Sequence, residues 1–264
     1  MKKLIILKLG GSVITVKDNP FTPNYSNLER LANEIQNGVQ KQNQLVIIHG
    51  AGSFGHIIVQ KSGIDKGIKH PKQLNDFAVT QRIQNEWNAI VTKQLQDVNL
   101  PAIPCQVSSH VILKQGRIDT INLTAIEGMI KIGLIPVLYG VPAYDIVDGC
   151  RILSGDQIAS YIAKELQAEK IIHGTNVDGV LSGNPKNLNS KLIREITLEN
   201  IDEIMINLKK HSKDDVTGQM YGKIFELMGL AKLGIKSEII NANKAKNIEN
   251  ALLGTEGLGT TIKI

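Results

Sequence analysis

Two kinds of hydrophobic pattern alternate along the chain. Short continuous runs of aliphatic and β-branched residues, typical of strands buried on both faces, occupy positions 3–9, 45–49, 101–106, 134–139, 170–173, 237–240 and 259–262. Between these runs, apolar residues spaced three and four positions apart predict amphipathic helices over 26–42, 56–62, 73–98, 121–132, 154–166, 198–209, 220–233 and 245–252. This alternation predicts an α/β protein with a largely parallel sheet.

A few segments depart from the alternation. Positions 13–22 are interrupted by Asp18-Asn19-Pro20, which predicts a hairpin or flap, and positions 141–153 predict a hairpin that turns at Asp148-Gly149. Pro136 lies inside a predicted strand, where proline is unusual for a central position.

The stretch 45–56 carries the strongest chemical signal. Its apolar strand stops at Gly50, Gly52 and Gly55, whose backbone amides no Cβ covers, and a helix can begin directly afterwards. A strand, a glycine loop and a helix N-terminus together form an anion site. Because His56 adds a donor or a positive charge, we expect this loop to hold an anionic substrate. The alternative is an ordinary strand-to-helix turn with a buried histidine.

Two known glycine patterns overlap in this loop, and the chain meets the full requirement of neither. Positions 50–55 match the G-x-G-x-x-G dinucleotide fingerprint, but that fingerprint needs an acidic residue at the end of the next strand. Asp65 and Asp76, the nearest candidates, lie in polar, helix-like sequence. The same glycines have the P-loop spacing, yet His56 and Ile57 stand where Lys and Ser or Thr are required.

Composition narrows the class of protein. With 264 residues, 42% hydrophobic and only 4% aromatic, the chain can form one large domain or two lobes on a shared sheet, with an aliphatic core. The net charge of +5 is spread along the chain, so nothing indicates nucleic-acid binding. Cys105 and Cys150 have neither disulfide-framework nor metal-site spacing, which predicts reduced thiols in a cytoplasmic protein. No apolar run has membrane-spanning length, and the first residues resemble a strand more than a signal peptide.

Five motifs, in this order along the chain, resemble the amino acid kinase family. They are Lys8-Leu-Gly-Gly-Ser12, His49-Gly-Ala-Gly-Ser53, Ser154-Gly-Asp156, Thr175-Asn-Val-Asp-Gly179 and Asp215-Val-Thr-Gly-x-Met-x-x-Lys223. The resemblance covers essentially the whole chain. It implies a three-layer αβα sandwich, with an acceptor-binding lobe at about 1–153 and a nucleotide-binding lobe at about 154–264. Gln219 departs from the pattern, because the family usually has a second glycine there.

Two residues indicate a branch of that family. His56 at the end of the glycine loop and Lys17 after Ser-Val-Ile-Thr resemble the branch that makes isopentenyl diphosphate from isopentenyl phosphate and ATP. This resemblance implies ATP and Mg²⁺ as cofactors, an isoprenoid monophosphate as the acceptor, and a homodimer. Two alternatives stay open. One is a fosfomycin kinase, which resembles the same branch, and the other is a nucleotide- and oxyanion-binding storage protein of the same fold.

The same resemblance assigns roles to individual residues. Lys8 reaches the transferring phosphate, Lys17 stabilises charge in the transition state, and Asp156 orients both lysines. His56 holds the phosphate of the acceptor, with help from the amides of Ala51 and Gly52. The other implied contacts are the amides of Gly10, Gly11, Ser12 and Gly52 to phosphate, Gly155 to the acceptor, Asp178 to the nucleotide, and Gly218 and Lys223 to the phosphates of ATP.

Each of these residues, taken alone, has a plainer explanation. A single lysine such as Lys8, Lys17 or Lys223 is more often a solvated surface residue. Asp156 alone is a typical helix N-cap, and Asp178-Gly179 is a common turn. The five motifs together favour the kinase.

The chemistry of the acceptor agrees with a kinase that has no general base. A phosphate monoester has a second pKa of about 6, so it is already an anion at pH 7. Phosphoryl transfer to it asks mainly for positioning and positive charge, which glycine loops and lysines supply. The candidates for a pocket that holds the apolar part of the acceptor are Ile57, Ile58, Phe77, Ile83 and Ile90. Packing in the core between two helices is the simpler explanation for most of them.

Overall fold

The computed structural model describes residues 3–16, 19–40, 43–183, 190–211 and 219–263. Its strands are β1 (Lys3–Leu9), β2 (Asn43–His49), β3 (Ala102–Pro104), β4 (Val111–Lys114), β5 (Arg117–Ile121), β6 (Ile135–Tyr139), β7 (Val141–Asp145), β8 (Gly149–Leu153), β9 (Lys170–Thr175), β10 (Val180–Leu181), β11 (Leu192–Ile193), β12 (Glu195–Ile196), β13 (Lys236–Asn241) and β14 (Gly259–Ile262). Its helices are α1 (Gly11–Ile14), α2 (Tyr25–Gly38), α3 (His56–Ser62), α4 (Lys72–Gln96), α5 (Thr124–Ile132), α6 (Gly155–Glu165), α7 (Ile201–His211), α8 (Gln219–Ala231) and α9 (Asn247–Leu253). Within these described ranges, no helix is both long and apolar enough to span a bilayer.

The main sheet has eight described strands in the order β12-β14-β13-β9-β1-β2-β6-β3. Every neighbouring pair is parallel except β13 and β14, which confirms the prediction of a largely parallel sheet. The register sets Lys8 of β1 beside Ile48 of β2 and His173 of β9. The carboxyl ends of the three central strands therefore meet at one edge, where parallel sheets place their sites.

Helices cover both faces of this sheet, as the alternation of side chains along β1 shows. Leu7 and its odd-numbered neighbours join the core shared with α2, α4 and α9, whereas Leu4 and Ile6 join the core shared with α5, α6 and α8. The predicted three-layer αβα sandwich is thereby confirmed. Because Lys8 continues the row of Leu4 and Ile6, its side chain lies on the face that α6 and α8 cover.

A second, four-stranded sheet with the order β5-β4-β7-β8 lies beside the first. The hairpin predicted over 141–153 is confirmed as β7 and β8, but the antiparallel pair β4 and β5 was not predicted. Their strands are short, and in β4 buried Val111 and Leu113 alternate with exposed residues. The helix predicted from position 121 begins only at Thr124, because Ile121 ends β5.

Two other expectations needed adjustment. The flap predicted over 13–22 closes later, through an antiparallel bridge between Thr15 and Pro23, because the single helical turn α1 precedes it. Pro136 is accommodated in β6 because pairing with β2 begins only at Val137, so the ladder does not need the N–H that proline lacks.

Candidate active site

The loops after β1 and β2 cross in direct backbone contact. A Cβ on Gly11 would lie 2.6 Å from Gly52 Cα, and a Cβ on Gly50 would lie 2.6 Å from Gly11 N. Gly52 also has a φ of +51°, a conformation that favours glycine. These glycines are therefore required by the crossing, which brings the amides of both loops to one place.

Four amides of the crossed loops have no hydrogen-bond partner among the described residues, namely those of Gly11, Ser12, Ala51 and Gly52. The amide of Gly10 is not among them, because it donates to Gly174 O at 2.8 Å and fixes the first loop to β9. Gly52 is buried, Gly11 and Ala51 are half-buried and Ser12 is exposed, and amides at buried positions normally find a partner. Unpaired amides in a glycine loop bind anions, so this cradle fits phosphate oxygens.

Asp156 is the centre of a buried cluster of charges beside the cradle. Its Oδ1 lies 2.7 Å from Lys223 Nζ, 3.1 Å from Lys8 Nζ and 3.4 Å from His173 Nδ1. Lys8 is 8% exposed, Lys223 is 5% exposed, and His173 is fully buried. Two lysines on one carboxylate leave positive charge in a low-dielectric place, which a bound phosphate would neutralise.

The burial of the cluster explains its protonation states. Burial alone would raise the pKa of Asp156, but Lys223 and Lys8 hold it well below its ordinary value. Burial lowers the pKa of Lys223 to about 8, although Asp156 opposes this shift. Burial and the charge of Lys223 lower the pKa of His173 to about 4. At pH 7 the cluster therefore contains a carboxylate, a neutral imidazole and a Lys223 ammonium that is easier to deprotonate than a surface lysine.

The start of α6 explains how Asp156 comes to face the lysines. Ser154 is the N-cap, and its side chain accepts a hydrogen bond from Gln157 N at 3.1 Å. Asp156, in the first turn, does not serve as the cap. Gly155 packs beside the lysine stem, since a Cβ there would lie 3.5 Å from Lys8 Cε. The explanations of Asp156 as a cap and of Lys8 and Lys223 as surface lysines are therefore wrong.

His56 ends the second glycine loop in a different environment. One 3-10 turn (Gly52–Phe54) precedes it, and its ring at the start of α3 is exposed. The ring has no hydrogen bond within the described residues, although desolvation by nearby protein lowers its pKa below the ordinary value. The buried-histidine explanation is wrong for His56, which is available to a ligand.

Helix α4 supports this loop with polar side chains that are buried. Thr80, Gln84 and Asn88 lie four residues apart on one face, and Asn88 Oδ1 is 3.0 Å from His49 Nε2. A Cβ on Gly55 would lie 2.6 Å from Gln84 Nε2. Neither polar atom of Gln84 has a partner in the described part of the chain. The same Cβ on Gly55 would also lie 2.6 Å from Ala51 Cβ, which cannot swing away as the Gln84 amide can, and this second contact explains why position 55 needs glycine.

The remaining predicted residues are distributed as follows. Asp178 accepts hydrogen bonds from Lys244 Nζ and Asn241 Nδ2, each at 2.8 Å, and these bonds lower its pKa. Lys17 and Gly218 lie outside the described residues. The described ranges contain no group of three or more His, Cys, Asp or Glu side chains that could hold a metal ion.

Sequence reasoning did not single out His173 or Gln84. The signal for His173 was a polar residue inside the apolar strand Lys-Ile-Ile-His-Gly-Thr. From the sequence, Asp156 was expected to orient Lys8 and Lys17. Its partners among the described residues are Lys8, Lys223 and His173. Lys223 reaches Asp156 because α6 and α8 pack against the same face of the sheet.

Comparison with known proteins agrees with this architecture. The model of the amino acid kinase family matches residues 3–241. The chain is 39% identical to the isopentenyl phosphate kinase of Methanothermobacter thermautotrophicus and 38% identical to that of Methanocaldococcus jannaschii, with 98% of both chains covered in each case. A solved isopentenyl phosphate kinase structure superposes with a TM-score of 0.85 at 37% identity, covering 98% of this chain and 100% of that one. This chain belongs to the amino acid kinase family.

Proposed function

We propose that the chain transfers the γ-phosphoryl group of ATP to isopentenyl phosphate, giving ADP and isopentenyl diphosphate. The observation that carries the reaction type is the crossing of the two glycine loops beside the cluster of Lys8, Asp156 and Lys223. The observation that favours this acceptor is the end-to-end similarity to isopentenyl phosphate kinases at 38% and 39% identity.

The proposed chemistry needs no general base. An oxygen of the acceptor phosphate attacks the γ-phosphorus of ATP, the bond to the bridging oxygen breaks, and ADP leaves with the electron pair. Two anions must approach each other, so the site has to neutralise charge and fix geometry. The amides of Gly11, Ser12, Ala51 and Gly52 bind phosphate oxygens, and Lys8 and Lys223 neutralise the transferring group.

The acceptor side of the site is assigned to the second loop and α3. His56 contacts the phosphate of isopentenyl phosphate, together with the amides of Ala51 and Gly52, and Gly155 is a further contact of the acceptor. Ile83 and Ile90 pack against a hydrophobic core cluster and are therefore poor candidates for the prenyl group. Better candidates are the half-buried Ile57, Ile58 and Phe77, which belong to neither described core cluster.

The nucleotide side is assigned to the chain from about 154 to 264, with Asp178, Gly218 and Lys223 as ATP contacts and Lys17 acting on the transition state. Mg²⁺ would enter with ATP and would be held mainly by phosphate oxygens and water. When bound, the ion neutralises phosphate charge. We also propose that the protein is cytoplasmic and that it forms a homodimer.

A coupled assay of ADP release tests the function. Purified protein with ATP and Mg²⁺ is given isopentenyl phosphate, fosfomycin, or phosphorylated C10 and C15 alcohols, and the product is identified by ³¹P NMR. We expect turnover with isopentenyl phosphate and a new diphosphate signal. A higher kcat/KM for fosfomycin would assign the chain to the fosfomycin kinase alternative. If the protein binds ATP but releases ADP with none of the acceptors tested, the storage-protein alternative is favoured.

A further inference from the structure

His173 is a buried polar residue in an otherwise largely apolar strand, and it faces the charge cluster of Asp156. It lies on the central strand β9, across the ladder from Lys8, and its side chain has no exposed surface. Its Nε2 has no partner among the described residues, and an unpaired polar atom in such a place costs free energy. An aliphatic residue would pack there without that cost, so packing does not explain the histidine.

The surroundings of Nδ1 favour one of the two neutral tautomers. Nδ1 lies 3.4 Å from Asp156 Oδ1 and 3.4 Å from Lys223 Nζ. A pKa of about 4 leaves the ring with a single N–H at pH 7. If that hydrogen were on Nε2, a buried donor would be unpaired. With the hydrogen on Nδ1, the ring gives up the hydrogen bond that Lys223 Nζ could donate to it, faces Asp156 Oδ1 as a donor instead, and leaves only a lone pair unpaired, which costs less.

The demands of phosphoryl transfer explain why Asp156 needs such a donor. In the structure its Oδ1 is held mainly by Lys223 and Lys8. Both ammonium groups are also the ones assigned to phosphate oxygens, so on ATP binding each has to share its three N–H donors between Asp156 and the phosphates. A buried carboxylate that loses these partners would rotate or take up a proton. His173 cannot follow the lysines, because β9 is paired on both sides, with β1 and with β13.

We propose that His173 is a positioning residue for the transfer step, whose Nδ1–H holds the Asp156 carboxylate in place while Lys8 and Lys223 engage the phosphates of ATP. The inference rests on the proposed kinase function and assigns a role to a residue that the family motifs do not include.

Three substitutions test the role of the Nδ1 donor. His173→Leu removes both nitrogens, His173→Asn keeps an N–H at the distance of Nδ1, and His173→Gln places its amide at the distance of Nε2. We expect kcat to fall about 10-fold or more in the Leu and Gln variants, as for loss of a hydrogen bond to a charged group, and to stay within about threefold in the Asn variant. The KM for isopentenyl phosphate should change less than about twofold in all three, because the loop of His56 is unaffected.

Two outcomes would overturn the proposal. One is a kcat of His173→Leu within about twofold of the unchanged protein, and the other is an equal loss in the Asn and Gln variants while both remain folded by circular dichroism. If the Leu variant does not fold, the comparison of Asn with Gln decides alone.

A spectroscopic measurement separates this proposal from the proposed function. Histidine-labelled protein is studied by ¹H–¹⁵N NMR with and without Mg²⁺ and a non-hydrolysable ATP analogue, and the ring of His173 is assigned by its loss in His173→Asn. We expect the neutral Nδ1–H tautomer in both states. An Nε2–H tautomer or an imidazolium in the analogue complex would refute the role. If the unchanged protein does not turn over isopentenyl phosphate, the proposed function fails, and the tautomer still decides whether His173 donates to Asp156.

Discussion

Gly11 and Gly52 meet backbone to backbone, so closely that a Cβ on Gly11 would lie 2.6 Å from the Cα of Gly52. Each glycine follows a strand of the central sheet, and β1 and β2 are paired along their whole length. The strands therefore hold both loops in place, and neither can move away easily. Because one loop is assigned to ATP and the other to the acceptor, the same contact sets the distance between the two reacting phosphates.

The Gly11→Ala substitution should damage both stability and activity. We expect a loss of about 1–3 kcal/mol in the free energy of unfolding, as for overpacking at a tight contact, and a large fall in kcat. The matched control is Gly128→Ala on the exposed side of α5, where a Cβ would meet nothing within 4 Å. That change should be neutral or add up to about 1 kcal/mol, because alanine favours helix. Thermal unfolding and the ADP-release assay check both. A Gly11→Ala protein as active as Gly128→Ala would contradict this account of the crossing.

The pH dependence of kcat/KM for ATP should reflect the deprotonation of Lys223. Its pKa of about 8 means that the unliganded protein loses the ammonium charge as the pH rises through that value. We therefore expect kcat/KM for ATP to fall on the alkaline side with an apparent pKa near this value. The bound polyphosphate stabilises the ammonium, so the alkaline limb of kcat should lie at higher pH. A profile of the Lys223→Arg variant, whose guanidinium stays charged, is the control and should lack this limb. An identical limb in both proteins would assign it to another group.

Removal of the His56 imidazole should weaken binding of the acceptor. The exposed ring has no described partner, so we expect little change in folding from His56→Ala. The KM for isopentenyl phosphate should rise by up to about a hundredfold, corresponding to a charge-assisted contact of roughly 1.5–3 kcal/mol. The KM for ATP should hardly change. His70→Ala, at another exposed histidine, is the control. An unchanged acceptor KM would remove His56 from the site.

Stability should fall in mild acid because of buried histidines. His49 is fully buried, and burial is the main reason why its pKa is lowered to about 4. In the unfolded chain a histidine titrates at about 6.5. Since the unfolded state binds the proton first, the free energy of unfolding should fall as the pH drops from about 6.5 to about 4, by about 1.4 kcal/mol per pH unit for this residue. His173 acts in the same direction.

Urea unfolding at about pH 7 and about pH 5 checks this slope. His49 alone should account for about 2 kcal/mol of the loss at about pH 5. A His49→Asn variant should lose less stability over that interval than the unchanged protein, and His70→Asn, at an exposed site, should lose as much. Equal losses in all three proteins would show that His49 does not control the acid sensitivity.

Much of the fold could be predicted because its elements are long or strongly patterned. The run 3–9 was predicted as a strand with the bounds that β1 has, since its apolar residues face a core on both sides. The antiparallel pair β4 and β5 was missed because short strands that pack on one face carry as many polar as apolar residues. Pro136 was unexpected because the register between β2 and β6, which leaves its missing N–H unneeded, is not visible in a linear sequence.

The sequence by itself determined which chemical groups the motifs carry: two glycine loops, the lysine at position 8 and the Ser-Gly-Asp turn at or near the ends of strands, and the lysine of α8. Only the tertiary structure decided which of these groups touch. Asp156 and Lys223 are 67 positions apart, and they meet because α6 and α8 cover the same face of the sheet. His173 joins them because parallel register sets β9 beside β1. Contacts of this kind depend on strand order and helix packing, which side-chain periodicity along one element does not encode.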